Sequence, residues 1–203
     1  MSKFKGKEVY NHLISKGVPE AAAKAMVANI AVESGYTFDH TTKQKGERKD
    51  PAYGLFQFDP RGKGLDKPYQ KYLEATDKKD SMEAQLDFFV DSVYGDYKEG
   101  RKHMGAGNVN KFKEAAESGD VTEATKAFSE KLLRPGKPHL DRRINAAKNI
   151  KQYIGEADIA PPEPPQEPPQ EPPAQMPVAA ASAPQGPVDP LQAMLQGGGM
   201  MRV

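Results

Sequence analysis

Apolar residues along the first 150 positions recur mostly at helical spacing. Val9, Leu13 and Ile14 make one face of a first helix, which Gly17 ends. Pro19 then opens a second helix at a position where a missing N–H costs least. That helix runs through EAAAKAMVANIAVES to Gly35, and Ala22, Met26 and Ile30, four residues apart, mark its buried face. Residues 36–52 are polar, hold Gly46 and Pro51 and show no helical period, so they read as a loop or a small hairpin. The run YGLFQF at 53–58 is apolar but too short for a helix. Further helices are predicted around Pro68–Ala75, Ser81–Tyr94, Val109–Ser118, Thr122–Leu133 and Pro138–Ile154. Met82, Leu86, Phe89 and Val93 stripe the second of these, while Leu140, Ile144, Ala147, Ile150 and Ile154 line the last. Asp120 or Thr122 is positioned to cap the next-to-last helix. The fold class that follows is α+β, mostly helical, with a small hairpin region at about 36–58.

From Ala160 the pattern stops. PPEPPQEPPQEPP is a four-residue quasi-repeat that favours polyproline II and packs no core, giving a semi-rigid spacer of about 3.1 Å per residue. It matches PxxP, the pattern of SH3 ligands, but no Arg or Lys flanks it. Beyond it, DPLQAMLQ has Leu191, Met194 and Leu195 on one side of one or two helical turns. So short a segment orders only by docking on a partner, and otherwise stays disordered. The expected organisation is therefore a folded domain at 1–155, a proline-rich linker at 156–190 and a short terminal segment at 191–203.

Composition narrows the function classes. There are no cysteines, which excludes a disulfide framework and Cys-ligated zinc. No apolar run is long enough to span a membrane, and MSKFKGKEVYNHL has no apolar core of a secretory signal. The net charge of +1 hides an asymmetry. Residues 1–157 carry 28 basic against 23 acidic side chains, a surplus suited to anionic polymers such as cell walls or nucleic acid. The basic residues are scattered and not paired with stacking aromatics, so a nucleic-acid partner is not expected.

Glu33 is the leading candidate for chemistry. It follows Met26 by seven residues and Ile30 by three, so it shares their face. A carboxyl on the core side of a helix end is desolvated, which favours its protonated form and suits a general acid. A glycosidase also needs a second carboxylate or a positioned water, and Asp39, Glu47, Asp50 and Asp59 all follow. Gln57 alternates with Phe56 and Phe58. Its amide needs hydrogen bonds that a backbone amide or a sugar N-acetyl group would satisfy equally. His12, His40, His103 and His139 show no metal-ligand spacing, and no nucleotide or acyl-transfer motif is present, so neither metal nor cofactor is expected.

The combination IAVESGY, polar insertion, AYGLFQFDPRG resembles the goose-type lysozyme and lytic transglycosylase group of the lysozyme superfamily. There, a Glu-Ser pair ends a buried helix and a Gly-Leu-(Met/Phe)-Gln segment follows, here Glu33–Ser34 and Gly54–Leu55–Phe56–Gln57. The later stretch AFSEKLLRPGKPHLDRRINAAKNI is similar to the closing part of phage tail lysozyme domains, with a Pro-Gly turn and a final helix with Arg near its start. The resemblance covers residues 8–154. It implies a lysozyme-like fold and cleavage of the β-1,4 bond between N-acetylmuramic acid and N-acetylglucosamine. Glu33 would protonate the leaving oxygen, and Ser34, Tyr53, Phe56 and Gln57 would serve substrate binding. Asp59, or failing it Asp50, would hold the attacking water.

The tyrosine of the transglycosylase Ala-Tyr-Asn motif has no clear match, although Tyr94 and Tyr97 are available, so hydrolase and transglycosylase both stay open. The setting implied is a bacteriophage virion acting on the wall during genome entry. The tail would dock on phage structural proteins, the chain being made in the host cytoplasm without a signal peptide and not inserted in a membrane. The alternative from another class is a non-catalytic wall-binding or structural virion module.

Overall fold

The computed structural model describes residues 5–44, 49–61 and 64–155. Its elements in chain order are α1 (Lys5–Ser15), α2 (Glu20–Glu33), α3 (Asp66–Thr76), α4 (Met82–Val93), α5 (Lys98–Met104), α6 (Ala106–Glu117), α7 (Val121–Ala127), a π-helical segment (Phe128–Leu133), α8 (Leu140–Lys148) and α9 (Lys151–Ile154). The expected linker and terminal segment, and the candidate acid Glu47, lie outside the described residues. No helix among the described residues is long and apolar enough to cross a membrane.

Alanines decide what sits at the centre. Ala22, Met26 and Ile30 of α2 are buried as their spacing predicts, but so are Ala23, Ala25, Ala28 and Ala31 on its flanks. A helix apolar all round must be enclosed, and the small side chains let its neighbours close in. Accordingly α1, α6, α7 and α8 all pack on α2. The predicted stripe of α4 joins the core, and Asp120 caps α7 by accepting from the N–H groups of Thr122 and Glu123 at 2.7 and 3.2 Å.

The hairpin expected at 36–58 is not a ladder. Two isolated antiparallel bridges, Lys43 with Tyr53 and Tyr53 with Phe58, are the strand-like pairing there, so the described fold is almost wholly helical rather than α+β. The reason is local. Gly54 (φ +80°) and Gln57 (φ +51°) adopt left-handed backbone, which turns the chain within the YGLFQF run. Reciprocal bonds between Tyr53 and Phe58, at 3.1 and 2.6 Å, close that turn. Its aromatic rings point into the core, with Phe56 stacked on Phe89 at 3.9 Å and Phe58 on Tyr69 at 4.4 Å.

The predicted last helix is two. Asn149, φ −105° and ψ 28°, ends α8, and its side chain bonds back to the Asn145 carbonyl at 2.9 Å in competition with the backbone ladder. Helix α5 was not predicted at all.

Candidate active site

Helix α2 ends in a corner built by Ser34. Gly35, Tyr36 and Phe38 all have positive φ, which carries the chain sharply off the helix axis. The Ser34 hydroxyl accepts from the Phe38 N–H at 3.0 Å, and its carbonyl accepts from the Thr37 hydroxyl at 2.7 Å. Ser34 itself is buried. The corner leaves Tyr36 half exposed, its ring stacked on Tyr153 of α9. Glu33, the last residue of α2, keeps 13% of its side-chain surface exposed.

The carboxyl of Glu33 meets a partner from the other end of the domain. Arg143 on α8, fully buried, donates from Nη2 to Glu33 Oε1 at 2.8 Å. Its Nη1 donates to Asn29 Oδ1 at 2.9 Å, and its Nε to the Pro138 carbonyl at 2.6 Å. Asn29 lies four residues before Glu33, on the same face of α2, so the two side chains receive the guanidinium together. Asn29 is fixed in turn by donating to the carbonyls of Ala25 and Thr125. Among the described residues, Oε2 of Glu33 accepts no hydrogen bond.

The Gly54–Gln57 turn is held against this helix end. The Thr37 and Thr42 hydroxyls are 3.1 Å apart, and the Thr42 carbonyl accepts from the Gly54 N–H at 2.8 Å and from Gln57 Nε2 at 3.4 Å. Gln57 Nε2 also donates to the Gly54 carbonyl at 3.0 Å. Of the two partners the sequence allows for this amide, backbone carbonyls take its N–H groups, while among the described residues its Oε1 accepts no hydrogen bond. Beneath the turn, buried Gln85 accepts from the Leu55 N–H at 2.8 Å and donates to the His40 carbonyl and Asp80. Tyr53 is half-buried, and its hydroxyl donates to Asp66 at 2.7 Å and accepts from Gln70 at 2.8 Å. Burial first, and then Asp66, push that hydroxyl's pKa far up, so Tyr53 stays a neutral hydrogen-bonding group. The Phe56 ring is only 3% exposed.

The candidate second acids group around one arginine. Asp59 accepts from the Arg61 backbone N–H at 2.9 Å and from its Nε at 2.8 Å. That bonding raises the Arg61 pKa, and the charge of exposed Asp50 adds to the effect. Asp39 is used locally: bonds from the Thr41 N–H and hydroxyl hold its carboxyl below the ordinary range. The described residues contain no group of three His, Cys, Asp or Glu side chains placed to hold a metal.

Three residues here escaped the sequence reading. Asn29 and Gln85 had a signal, each being a polar residue inside an apolar helical run. Arg143 had none beyond the resemblance, which places an unspecified arginine near the start of the final helix. Chemically, the arrangement is a carboxyl with one oxygen clamped and one open. The Ser34 corner next to it is tied through Thr37 and Thr42 to a polar turn that offers an amide acceptor, and two further acids lie near one guanidinium.

The family described as phage tail lysozyme matches this sequence over residues 5–154. No curated protein matches it. No solved structure matches it either.

Proposed function

The chain belongs to the phage tail lysozyme family, whose domains are peptidoglycan-lytic, and from that premise we propose that it is a muramidase using Glu33 as general acid. Glu33, protonated on Oε2, gives that proton to the glycosidic oxygen between N-acetylmuramic acid and N-acetylglucosamine. The C1–O bond breaks with its electron pair on the leaving oxygen. Water then adds to C1, losing a proton to Asp59 or Asp50. Gln57 Oε1 offers an acceptor to a sugar N-acetyl N–H, and Tyr53 borders the groove. Phe56 and Ser34 serve binding from beneath, by anchoring the turn and the helix corner. The virion carries this activity for local wall opening at genome entry, with the terminal segment at 191–203, beyond the proline-rich linker, docking on phage structural proteins.

The observation that carries this reading is the hydrogen-bond path from Ser34 through Thr37 and Thr42 to Gly54 and Gln57. It ties the Glu-Ser helix end to the Gly-Leu-Phe-Gln turn, although a polar insertion separates them in sequence. Water is favoured over an intramolecular sugar hydroxyl as the attacking group. The two tyrosines that a transglycosylase site would call on are withdrawn from a groove: the Tyr94 hydroxyl is buried without a hydrogen-bond partner among the described residues, and that of Tyr97 donates to the Pro68 carbonyl at 2.9 Å.

Glu33→Gln in the full chain is expected to lower release of soluble fragments from purified peptidoglycan by about 10²–10⁴-fold, the usual contribution of a general acid. Asp59→Asn and Asp50→Asn, assayed beside it, identify the second acid as the one whose loss slows turnover at least about tenfold. Wild-type turnover by Glu33→Gln would rule the mechanism out, whereas no release by either protein would leave a wall-binding or structural module.

A further inference from the structure

Arg143 heads the fully buried side chains of the described fold by size. A buried guanidinium is costly unless each donor finds an acceptor and its charge finds a partner. Two of its three acceptors, the Pro138 carbonyl and Asn29 Oδ1, are neutral. Glu33 is the acid in contact with it among the described residues. The fold therefore spends its most deeply buried cation on the one carboxyl to which the proposed reaction assigns the proton.

We propose that Arg143 is the positioning residue of the general acid: it holds Oε1 of Glu33, directs the transferable proton to Oε2, and meets the charge left on Glu33 when that proton departs. The proposal rests on the reading of Glu33 as the acid. Its physical content is a difference between two states. While Glu33 is protonated, Oε1 is a neutral acceptor for Nη2. As the O–H bond on Oε2 breaks and the proton moves to the glycosidic oxygen, the electron pair stays on the carboxylate, and the same contact becomes an ion pair. An interaction stronger in the transition state than in the ground state raises kcat and leaves substrate binding unaltered. Arg143 is already fixed by Asn29 and Pro138, so no reorganisation accompanies the step. At 1% exposure it does not itself reach substrate, so it acts through Glu33.

The test compares Arg143→Met, Arg143→Lys, Glu33→Gln and the double variant Glu33→Gln/Arg143→Met, each in the full chain. Fragment release from purified peptidoglycan is followed across peptidoglycan concentrations, with thermal unfolding of each protein measured in parallel. Arg143→Met is expected to lower kcat about 10²-fold with KM changed less than about twofold. Arg143→Lys should recover about tenfold of the loss, since the charge is restored and only the fork geometry is missing. The double variant should be no slower than Glu33→Gln alone. If Arg143→Met does not fold, Arg143→Gln reads the same loss of kcat at little-changed KM.

A raised KM in place of a lowered kcat, no recovery in Arg143→Lys, or a loss of activity that merely follows the loss of folded protein would make Arg143 structural and overturn the proposal. Wild-type activity in Glu33→Gln would instead sink the underlying catalytic reading. Inactivity of Glu33→Gln beside full activity of Arg143→Met would sink this proposal alone.

Discussion

Gly54 shows how narrowly one position holds the turn beside the proposed acid. Its φ of +80° lies in the left-handed region, and a Cβ there would sit 2.6 to 3.0 Å from three atoms of the Gln85 amide. That amide is the acceptor for Leu55 N–H and the tie to His40 and Asp80, so it has no room to retreat. Strain and overpacking together put the expected cost of Gly54→Ala at about 2 kcal/mol or more. For a domain of this size that is a Tm loss of about 4–8 °C, with wall-cleaving activity falling further because Gln57 moves with the turn. Calorimetry beside an activity assay checks this, and an unchanged Tm would show that the turn is not the constraint described here. At this scale Glu33 was legible in the sequence, because helical spacing alone puts it on the face of Met26 and Ile30. The alternation of Phe56, Gln57 and Phe58 was legible as a polar group in an apolar run, but not that Phe56, expected to serve substrate binding, is buried and stacked on Phe89. The left-handed backbone at Gln57 was not, since nothing in a glutamine announces positive φ.

Between elements, the strongest polar clamp is at Asp87 of α4, buried to 6% exposure. His12 of α1 lies 2.8 Å from its carboxyl, Lys16 just beyond α1 lies 3.0 Å away, and Lys78 after α3 lies 2.7 Å away. Burial works against the carboxylate, but the bonds from Lys78, Lys16 and His12 outweigh it and draw the pKa down to about 2. A carboxyl depressed in the folded state stabilises the fold above its unfolded pKa of about 3.9, and that contribution is lost as pH falls from about 4 towards 2. The depression of nearly two units corresponds to about 2 kcal/mol. Urea unfolding at pH 5 and at pH 2.5 should therefore show the stability gap between wild type and Asp87→Asn shrinking by about that amount at the lower pH. A gap independent of pH would contradict the clamp.

The helices that announced themselves were those with a long apolar stripe, α4 above all, or a capping residue, such as Asp120 before α7. Helix α5 did not. Its buried residues are Gly100 and Met104, and Gly100 is there because a Cβ would come within 2.0 Å of Ser92 Oγ on α4. The hairpin was overread because short apolar runs look alike whether they pair as strands or, as here, fold into a turn that buries its rings.

Across the whole molecule, the contact that joins distant sequence to the proposed acid is Glu33–Arg143, between positions 110 residues apart. A pattern read along the chain registers which face of a helix is buried, but not which side chain of another helix will be laid against it. This is why Glu33 was visible on the face of Met26 and Ile30 while Arg143 was invisible as its partner. Because the contact is buried, removing Arg143 strips Glu33 Oε1 and Asn29 Oδ1 of their donor at once. Arg143→Met is expected to destabilise the domain by about 3–5 kcal/mol. Thermal unfolding would show this as a Tm loss of about 6–20 °C, and a loss under 2 °C would mean that water replaces the arginine freely.

The central claim is cleavage of the glycan strand by Glu33, and mass spectrometry of the fragments released from purified peptidoglycan by the full chain tests it most directly. The account predicts products ending in reducing N-acetylmuramic acid, absent when Glu33→Gln replaces the wild type. Anhydromuramic ends that depend on Glu33 would contradict the hydrolytic step while keeping the acid. No released fragment from the wild-type chain would contradict the catalytic account altogether.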